Sequence, residues 1–384
     1  MRIIPYGRQC VDASDIREVI KVLKSDWLTQ GPKIKEFEDA LCKYTGAKYA
    51  VAVSSGTAAL HIACLAAGIK RGDEVITSPI TFVASANSIL YCGGKPVFAD
   101  IQKDTANIDP EEIKKKINPN TKAIIPVHFA GQPCNMSDIK KIAKENRLYV
   151  IEDAAHAIGS RYADASTVGN CRYSDMTVFS FHPVKTITTG EGGAITTNDK
   201  MLYEKLIMLR SHGITKDQRL LTKNPGPWYY EMQMLGFNYR ITDIQAALGI
   251  SQLSKLDCFV KRRREIVGEY NKAFSDISWI RAPLEEKNVY SAFHLYAVLI
   301  NFEKLGLSRP QVMEKLKNNG IGTQVHYIPV YTQPYYKNNF DYKDGHCPVA
   351  EKYYKYTLSL PLYPSMSKKQ VNHVISIVKG LNNV

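Results

Sequence analysis

Between residues 48 and 152 the chain alternates short apolar runs with helical patterns, and this alternation restricts the fold more than any other feature. Residues 49–53 read as a strand, 57–67 as a helix stopped by Gly68, 74–77 as a strand, 81–91 as a helix and 96–99 as a strand. The pattern continues with a strand at 122–127, a helix at 137–146 and a strand at 148–152. Short strands of nearly continuous apolar character belong to sheets covered on both faces, because each crossover lays a helix on the sheet. The expected class is α/β, a mostly parallel sheet flanked by helices.

Two helices precede this region. Residues 12–24 carry Ile16, Val19, Ile20 and Leu23 at helical spacing behind Asp12 as N-cap, and a second helix over 33–44 follows the break at Gly31-Pro32. A long helical pattern runs from Asp243 to about Phe274. The chain is expected to divide inside it, into a larger unit over 1–250 and a smaller α+β unit over 251–384. The smaller unit should hold a strand at 294–300, a helix at 309–318 and terminal helices, with 338–344 as a loop.

Composition narrows the function classes. The 384 residues are 45% hydrophobic and 23% charged, an ordinary globular balance. The opening M-R-I-I-P-Y-G-R-Q-C has no apolar core of a signal peptide, and no apolar run reaches about 18 residues, so neither export nor a membrane span is expected. The eight cysteines are scattered without a C-x-x-C pair, which argues against a zinc site or a disulfide framework and for a reducing cytoplasm. The net charge of +13 admits nucleic acid or anionic metabolites. Its densest runs, Lys114 to Lys116 and Lys261 to Arg264, sit beside Glu111, Glu112 and Glu265 and read as solvated helix faces. No recognition helix accompanies them, so nucleic acid is not expected as a partner.

Chemistry concentrates in residues 177–193, T-V-F-S-F-H-P-V-K-T-I-T-T-G-E-G-G. A lysine, Lys185, stands in a turn between two strand-like runs. Taken alone it reads as a solvated loop lysine in a Gly-rich turn; if buried, desolvation disfavours the ammonium, and a neutral amine can form a Schiff base with an aldehyde. Three further signals join it. The strand into Ser54-Ser55-Gly56-Thr57 and a helix makes a site for a monophosphate, with backbone N–H groups, the hydroxyls of Ser55 and Thr57, and close approach over Gly56. Asp153, at a strand's C-terminal end and three residues before His156, can pair with a protonated ring nitrogen, or simply cap a helix. Phe82 follows a strand where an aromatic could belong to the core or stack on a planar ring, and Ser180 ends the strand before Lys185. Together these fit pyridoxal 5′-phosphate; no metal site is suggested.

The motifs S-S-G-T-A-A-L, I-E-D-A-A-H-A, S-F-H-P-V-K-T-I-T-T-G-E-G-G and G-F-N-Y-R-I-T-D-I-Q-A-A-L-G resemble the DegT/StrS-type sugar-nucleotide aminotransferases, enzymes of fold type I that use pyridoxal phosphate. The likeness covers nearly the whole chain. The opening P-Y-G-R-Q, S-D-W-L-T-Q-G-P, S-P-I-T-F-V-A-S-A-N and G-I-G-T-Q-V-H-Y-I-P-V resemble one branch, the C4 aminotransferases of pseudaminic acid biosynthesis. That resemblance implies L-glutamate as donor and UDP-2-acetamido-2,6-dideoxy-β-L-arabino-hex-4-ulose as acceptor. It also implies roles. Lys185 matches the Schiff-base lysine, Asp153 the pyridine-nitrogen partner, His156 the residue beside the ring hydroxyl and Phe82 the stacking ring. Gly56, Thr57 and Ser180, with Ser55 beside them, match the phosphate cradle. Asn238 matches a residue reaching the phosphate of the partner subunit in a homodimer. Tyr6, Asp26, Trp27, Leu28, Thr29, Gln324, Val325, His326 and Tyr327 match sugar-nucleotide contacts. Sister families that dehydrate sugars often carry histidine at the lysine position; keeping Lys185 favours transamination. The alternatives are the same chemistry on a D-configured UDP-4-keto sugar, as in bacillosamine or legionaminic acid formation, and a non-enzymatic regulator.

Overall fold

A computed structural model describes residues 3–382. Its frame is a seven-stranded sheet: β1 (Tyr49–Val53), β2 (Glu74–Thr77), β3 (Lys95–Phe98), β4 (Thr121–Ile125), β5 (Tyr149–Asp153), β6 (Met176–Ser180) and β7 (Gly193–Thr197), in the spatial order β1-β7-β6-β5-β4-β2-β3. Every neighbouring pair is parallel except the two that β7 makes, with β1 and with β6. Residues 181–192 join β6 to β7 without a helix to make a crossover, and the two strands pair antiparallel as a hairpin. The carboxyl ends of β1, β2, β4, β5 and β6, together with the start of β7, therefore open on one edge.

The interior strands are buried almost end to end, as expected for a sheet covered on both faces. Helix Gly56–Ala66 is apolar nearly all round and buried along both sides, between the sheet and helices Ala84–Tyr91 and Lys200–Arg210. On the other face, Phe37 and Leu41 of helix Pro32–Thr45 pack with Phe179, Phe181, Ala246 and Leu253. A three-stranded antiparallel sheet of Ile280–Arg281, Tyr296–Ile300 and Thr357–Leu360 carries helices Arg309–Asn318 and Lys368–Lys379 over a second apolar cluster. Ile4 joins that cluster through backbone hydrogen bonds with Gly320 and Gly322, each 2.8 Å.

Four expectations need correction. Helix Ala84–Tyr91 starts three residues later than its apolar pattern, because residues 81–83 turn along the edge of the sheet. The long pattern from Asp243 is two helices, Asp243–Leu253 and Leu256–Phe274, parted at Ser254 and Lys255. No helix starts after Asp153: it is the last residue of β5, and turns follow. Part of the expected 338–344 loop is also helical, since helix Pro334–Asn339 reaches into it.

Candidate active site

The common edge of the strands opens into a cavity of about 800 Å³. Each strand end contributes to its wall: residues 54–57 after β1, 81–85 after β2, Val127 after β4, Asp153, Ala155 and His156 from β5, Ser180 and His182 from β6, and Glu191 before β7. Residues 324–328 and Tyr6 close it from the side of the smaller sheet. They arrive there because Ile4 bridges Ile321 and Gln324 bridges Ser359.

Strand alternation separates the two adjacent acids of β5. Asp153 faces the cavity and is 4% exposed. Its Oδ2 accepts from Ser85 Oγ at 2.6 Å and its Oδ1 from the Ala155 amide at 3.1 Å. Glu152 points the opposite way and is fully buried, accepting from His128 at 2.6 Å, Tyr162 at 2.5 Å, Thr177 at 3.1 Å and Ser174. Burial alone would raise its pKa, but these donors outweigh it and hold the carboxyl below its usual range. The arrangement thus leaves a single acid of the pair available to a ligand.

Lys185 is half-buried on the turn between β6 and β7, its amide donating to His182 O at 2.8 Å. Burial lowers its pKa to about 8, against the opposing pull of the Asp153 carboxylate. A neutral amine is thus within reach of ordinary pH. His156 is buried, with its ring 4.5 Å from that of His294 and Nε2 3.2 Å from the Tyr327 hydroxyl. Burial, reinforced by the Lys185 charge, keeps His156 well below the ordinary imidazole range, so it stands neutral. His326 is likewise pushed down to about 3 by burial and by Lys185, with Nδ1 2.8 Å from Ser359 Oγ. His294 is fixed from behind by Arg263, a buried guanidinium that donates to the carbonyls of His294 at 3.1 Å and Leu362 at 2.9 Å.

The head of helix Gly56–Ala66 forms a pocket for an anion. Ser55 caps it, accepting from the Ala58 amide at 3.1 Å, and its carbonyl accepts from Ala59. The Gly56 and Thr57 amides then face the cavity, with the dipole of the helix behind them. Two glycines make the close approach possible. A Cβ on Gly56 would lie 2.8 Å from Ser180 Cβ, and one on Gly193 only 2.4 Å from the Ser55 carbonyl oxygen.

These residues fit pyridoxal phosphate on three counts. The backbones at Gly56 and Gly193 pack too closely on Ser180 and Ser55 to carry a side chain, which leaves backbone N–H groups at the head of the helix next to the cavity. Phe82, 59% exposed, presents an apolar ring on the wall opposite to nothing but cavity and Tyr327, 6.5 Å away between centroids. His156 Nδ1 is buried without a partner, as an atom awaiting a polar ligand group would be.

Of the residues singled out in the sequence, the cavity gathers Tyr6, Ser55, Gly56, Thr57, Phe82, Asp153, His156, Ser180, Lys185, Gln324, Val325, His326 and Tyr327. It does not gather Asp26, Trp27, Leu28, Thr29 or Asn238, all of which are exposed. They are held elsewhere on the surface by separate backbone contacts. The Asp243 amide donates to Leu28 O at 3.1 Å, Thr29 bridges Thr242, and Asn238 lies four residues before that bridge, beside Ser211. Ser85, His294, His182 and Glu191 carry no assignment in the sequence reading. Ser85 alone had a local signal, three residues beyond Phe82 in the same segment.

A family model described as the DegT/DnrJ/EryC1/StrS aminotransferase family matches residues 9–379. SpsC of Bacillus subtilis, a spore coat polysaccharide biosynthesis protein, is 45% identical over 379 residues, which cover 98% of this chain and 97% of SpsC. Helicobacter pylori PseC, an aminotransferase involved in the biosynthesis of pseudoaminic acid, superimposes with a TM-score of 0.91 at 35% identity, over 100% of both chains. The putative sugar aminotransferase Spr1654 from Streptococcus pneumoniae, in its PLP form, gives a TM-score of 0.91 at 31% identity over 99% of each chain.

Proposed function

The chain belongs to the DegT/DnrJ/EryC1/StrS aminotransferase family, and from this we propose that it transfers the amino group of L-glutamate to C4 of UDP-2-acetamido-2,6-dideoxy-β-L-arabino-hex-4-ulose, in the cytoplasm and as a homodimer. Sugar aminotransferase activity and pyridoxal phosphate follow from family membership and from neighbours solved in PLP and PMP forms. The particular sugar, the residue roles and the dimer are our reading.

The observation that carries it is Lys185: an amine lowered to about 8, in one cavity with a single free carboxylate from β5 and a phosphate-sized cradle. Gly56, Thr57 and Ser180 hold the cofactor phosphate, Phe82 covers a ring face, and His156 Nδ1 meets the ring hydroxyl. Bound there, pyridoxal phosphate supplies a conjugated ring that accepts the electron pair left when a Cα–H bond breaks. Asp153, aimed by Ser85, keeps the proton on the ring nitrogen. Lys185 Nζ would hold the cofactor's aldehyde and, when free, would act as the base that takes the donor's Cα proton and as the acid that delivers it to the cofactor carbon next to the ring. Tyr6 and residues 324–327 line the outer cavity, where the nucleotide sugar lies. Asn238 is exposed and does not line the cavity of its own chain, which favours its reaching the phosphate of a second subunit.

Purified protein assayed with L-glutamate and either the L-arabino or the D-xylo 4-keto sugar tests the substrate. Faster turnover of the L-arabino sugar is expected. Preference for the D-xylo sugar would move the enzyme to the bacillosamine or legionaminic acid type.

A further inference from the structure

The hairpin that carries Lys185 also carries a polar pair that none of these roles uses. β6 and β7 set Ser180 opposite Gly193, and the ladder runs on with Phe181 N–H donating to Gly192 O at 2.9 Å. One step further in that register stand His182 and Glu191. Phe181 turns inward, fully buried and edge-on to Phe37 with ring centroids 5.3 Å apart. By alternation Ser180 and His182 turn the other way, to the cavity, which both His182 and Glu191 line.

The geometry of the pair is that of a donor and an acceptor held apart. His182 Nε2 and Glu191 Oε1 are 4.0 Å from each other, too far for a hydrogen bond, and both side chains stay accessible. His182 Nδ1 accepts from the Val184 amide at 3.5 Å, which assigns the ring proton to Nε2. Glu191 stands on an anchored backbone, its carbonyl accepting from Thr189 Oγ1 at 2.6 Å and Gln245 Nε2 at 2.8 Å. One hydroxyl oxygen about 2.8 Å from each would close the gap, accepting from His182 and donating to Glu191. A carboxylate is a poor neighbour for a phosphate, so the matching group is a neutral hydroxyl. Its place is also bounded: His182, Glu191 and Lys185 line one cavity, and the turn that carries Lys185 is closed by its backbone amide donating to His182 O.

We propose that His182 and Glu191 read the sugar hydroxyl next to the ketone. This rests on the sugar-nucleotide reading above. In a 2-acetamido-2,6-dideoxy-hex-4-ulose linked through C1, the free ring hydroxyl is the one on C3, adjacent to the carbon that takes the amine. The pair therefore determines which 4-keto sugars are accepted, by hydrogen bonds that a 3-deoxy sugar cannot make.

The test compares kcat/KM for UDP-2-acetamido-2,6-dideoxy-β-L-arabino-hex-4-ulose and its 3-deoxy counterpart in the wild-type holoenzyme, Glu191→Ala and His182→Gln. The wild type should prefer the 3-hydroxy sugar ten- to about a hundredfold, the worth of a hydrogen bond to a charged group. In Glu191→Ala the preference should fall towards unity through loss of the 3-hydroxy sugar's rate, with a smaller fall in His182→Gln. The L-glutamate half-reaction, followed by absorbance without sugar, should change far less than the sugar half-reaction. A preference unchanged in both variants, or an equal loss in the donor half-reaction, overturns the assignment. A wild type inert towards both sugars overturns the sugar reading and this pair with it, whereas unchanged discrimination in an active enzyme overturns the pair alone.

Discussion

Two regions hold the residues that the sequence marks for chemistry, and they differ in what surrounds them. The inner wall at the strand ends is built by register: Asp153, Ser180 and Gly193 take their places because β5, β6 and β7 pair as they do. The outer region of Asp26–Thr29 and Asn238 is held by a few backbone contacts, chiefly the Asp243 carboxylate accepting from Gly31 at 2.7 Å and Lys33 at 2.9 Å. Its side chains face outward, and Trp27 and Leu28 are 55% and 47% exposed. A single chain thus completes the wall that hydrophobic folding can build, and it leaves the apolar and amide groups of the second region exposed.

The inner wall should be the more sensitive. Lys185→Ala should reduce transamination by on the order of 10⁴-fold or more, since among the described residues no other lysine lines the cavity to hold the cofactor and move the proton. Steady-state turnover with L-glutamate checks it, and appreciable activity would place the reacting amine elsewhere. Asp153→Asn should retain cofactor but lose about 10²- to 10³-fold in kcat, because an amide cannot keep a proton on the ring nitrogen. Near-normal kcat there would make Ser85 and Asp153 merely structural.

The outer region is tested by subunit exchange. Lys185→Ala mixed with Asn238→Ala should regain activity, towards about a quarter of the wild-type rate per site when the subunits mix evenly, because each heterodimer then has one intact composite site. If exchange is verified by mass spectrometry and no activity returns, Asn238 serves its own chain and the two regions are independent.

How far the sequence disclosed this difference depends on the range of the interactions. The βα alternation was legible because an apolar run between turn residues reports burial directly, and Asp12 capped its helix as read. Asp153, Lys185 and the residues 54–57 were legible because each sits at a strand end. Ser85 and the His182–Glu191 pair were not, because only register and a side-chain turn into the cavity give them partners. His294 enters through Arg263, thirty-one residues away in sequence, a contact without local signal. The break after Leu253 was hidden because Ser254 and Lys255 are compatible with a helix. The strand Thr357–Leu360 has four residues directly behind helix Pro348–Tyr356, too short for period two to stand out.

The smallest effect expected concerns what the inner wall costs before any cofactor binds. A lysine in the unfolded chain has a pKa of about 10.4, and burial brings Lys185 down to about 8. The unfolded chain therefore holds more protons than the folded one between pH 8 and 10, so stability rises with pH across that window. Below pH 8 the whole penalty of burying the ammonium is present; above about pH 10 it is relieved. Lys185→Met removes the charge while keeping the length and the apolar stem. The cofactor-free variant should melt above cofactor-free wild type at pH 7, with the margin shrinking from pH 8 towards pH 10. Asp153 works against the penalty by favouring the ammonium, so in an Asp153→Asn background the same substitution should give a wider margin at pH 7. Differential scanning calorimetry of the four cofactor-free proteins across that range reads both terms. A margin independent of pH would mean that Lys185 is solvated in the folded chain, and the inner wall would then lose the neutral amine on which its chemistry depends.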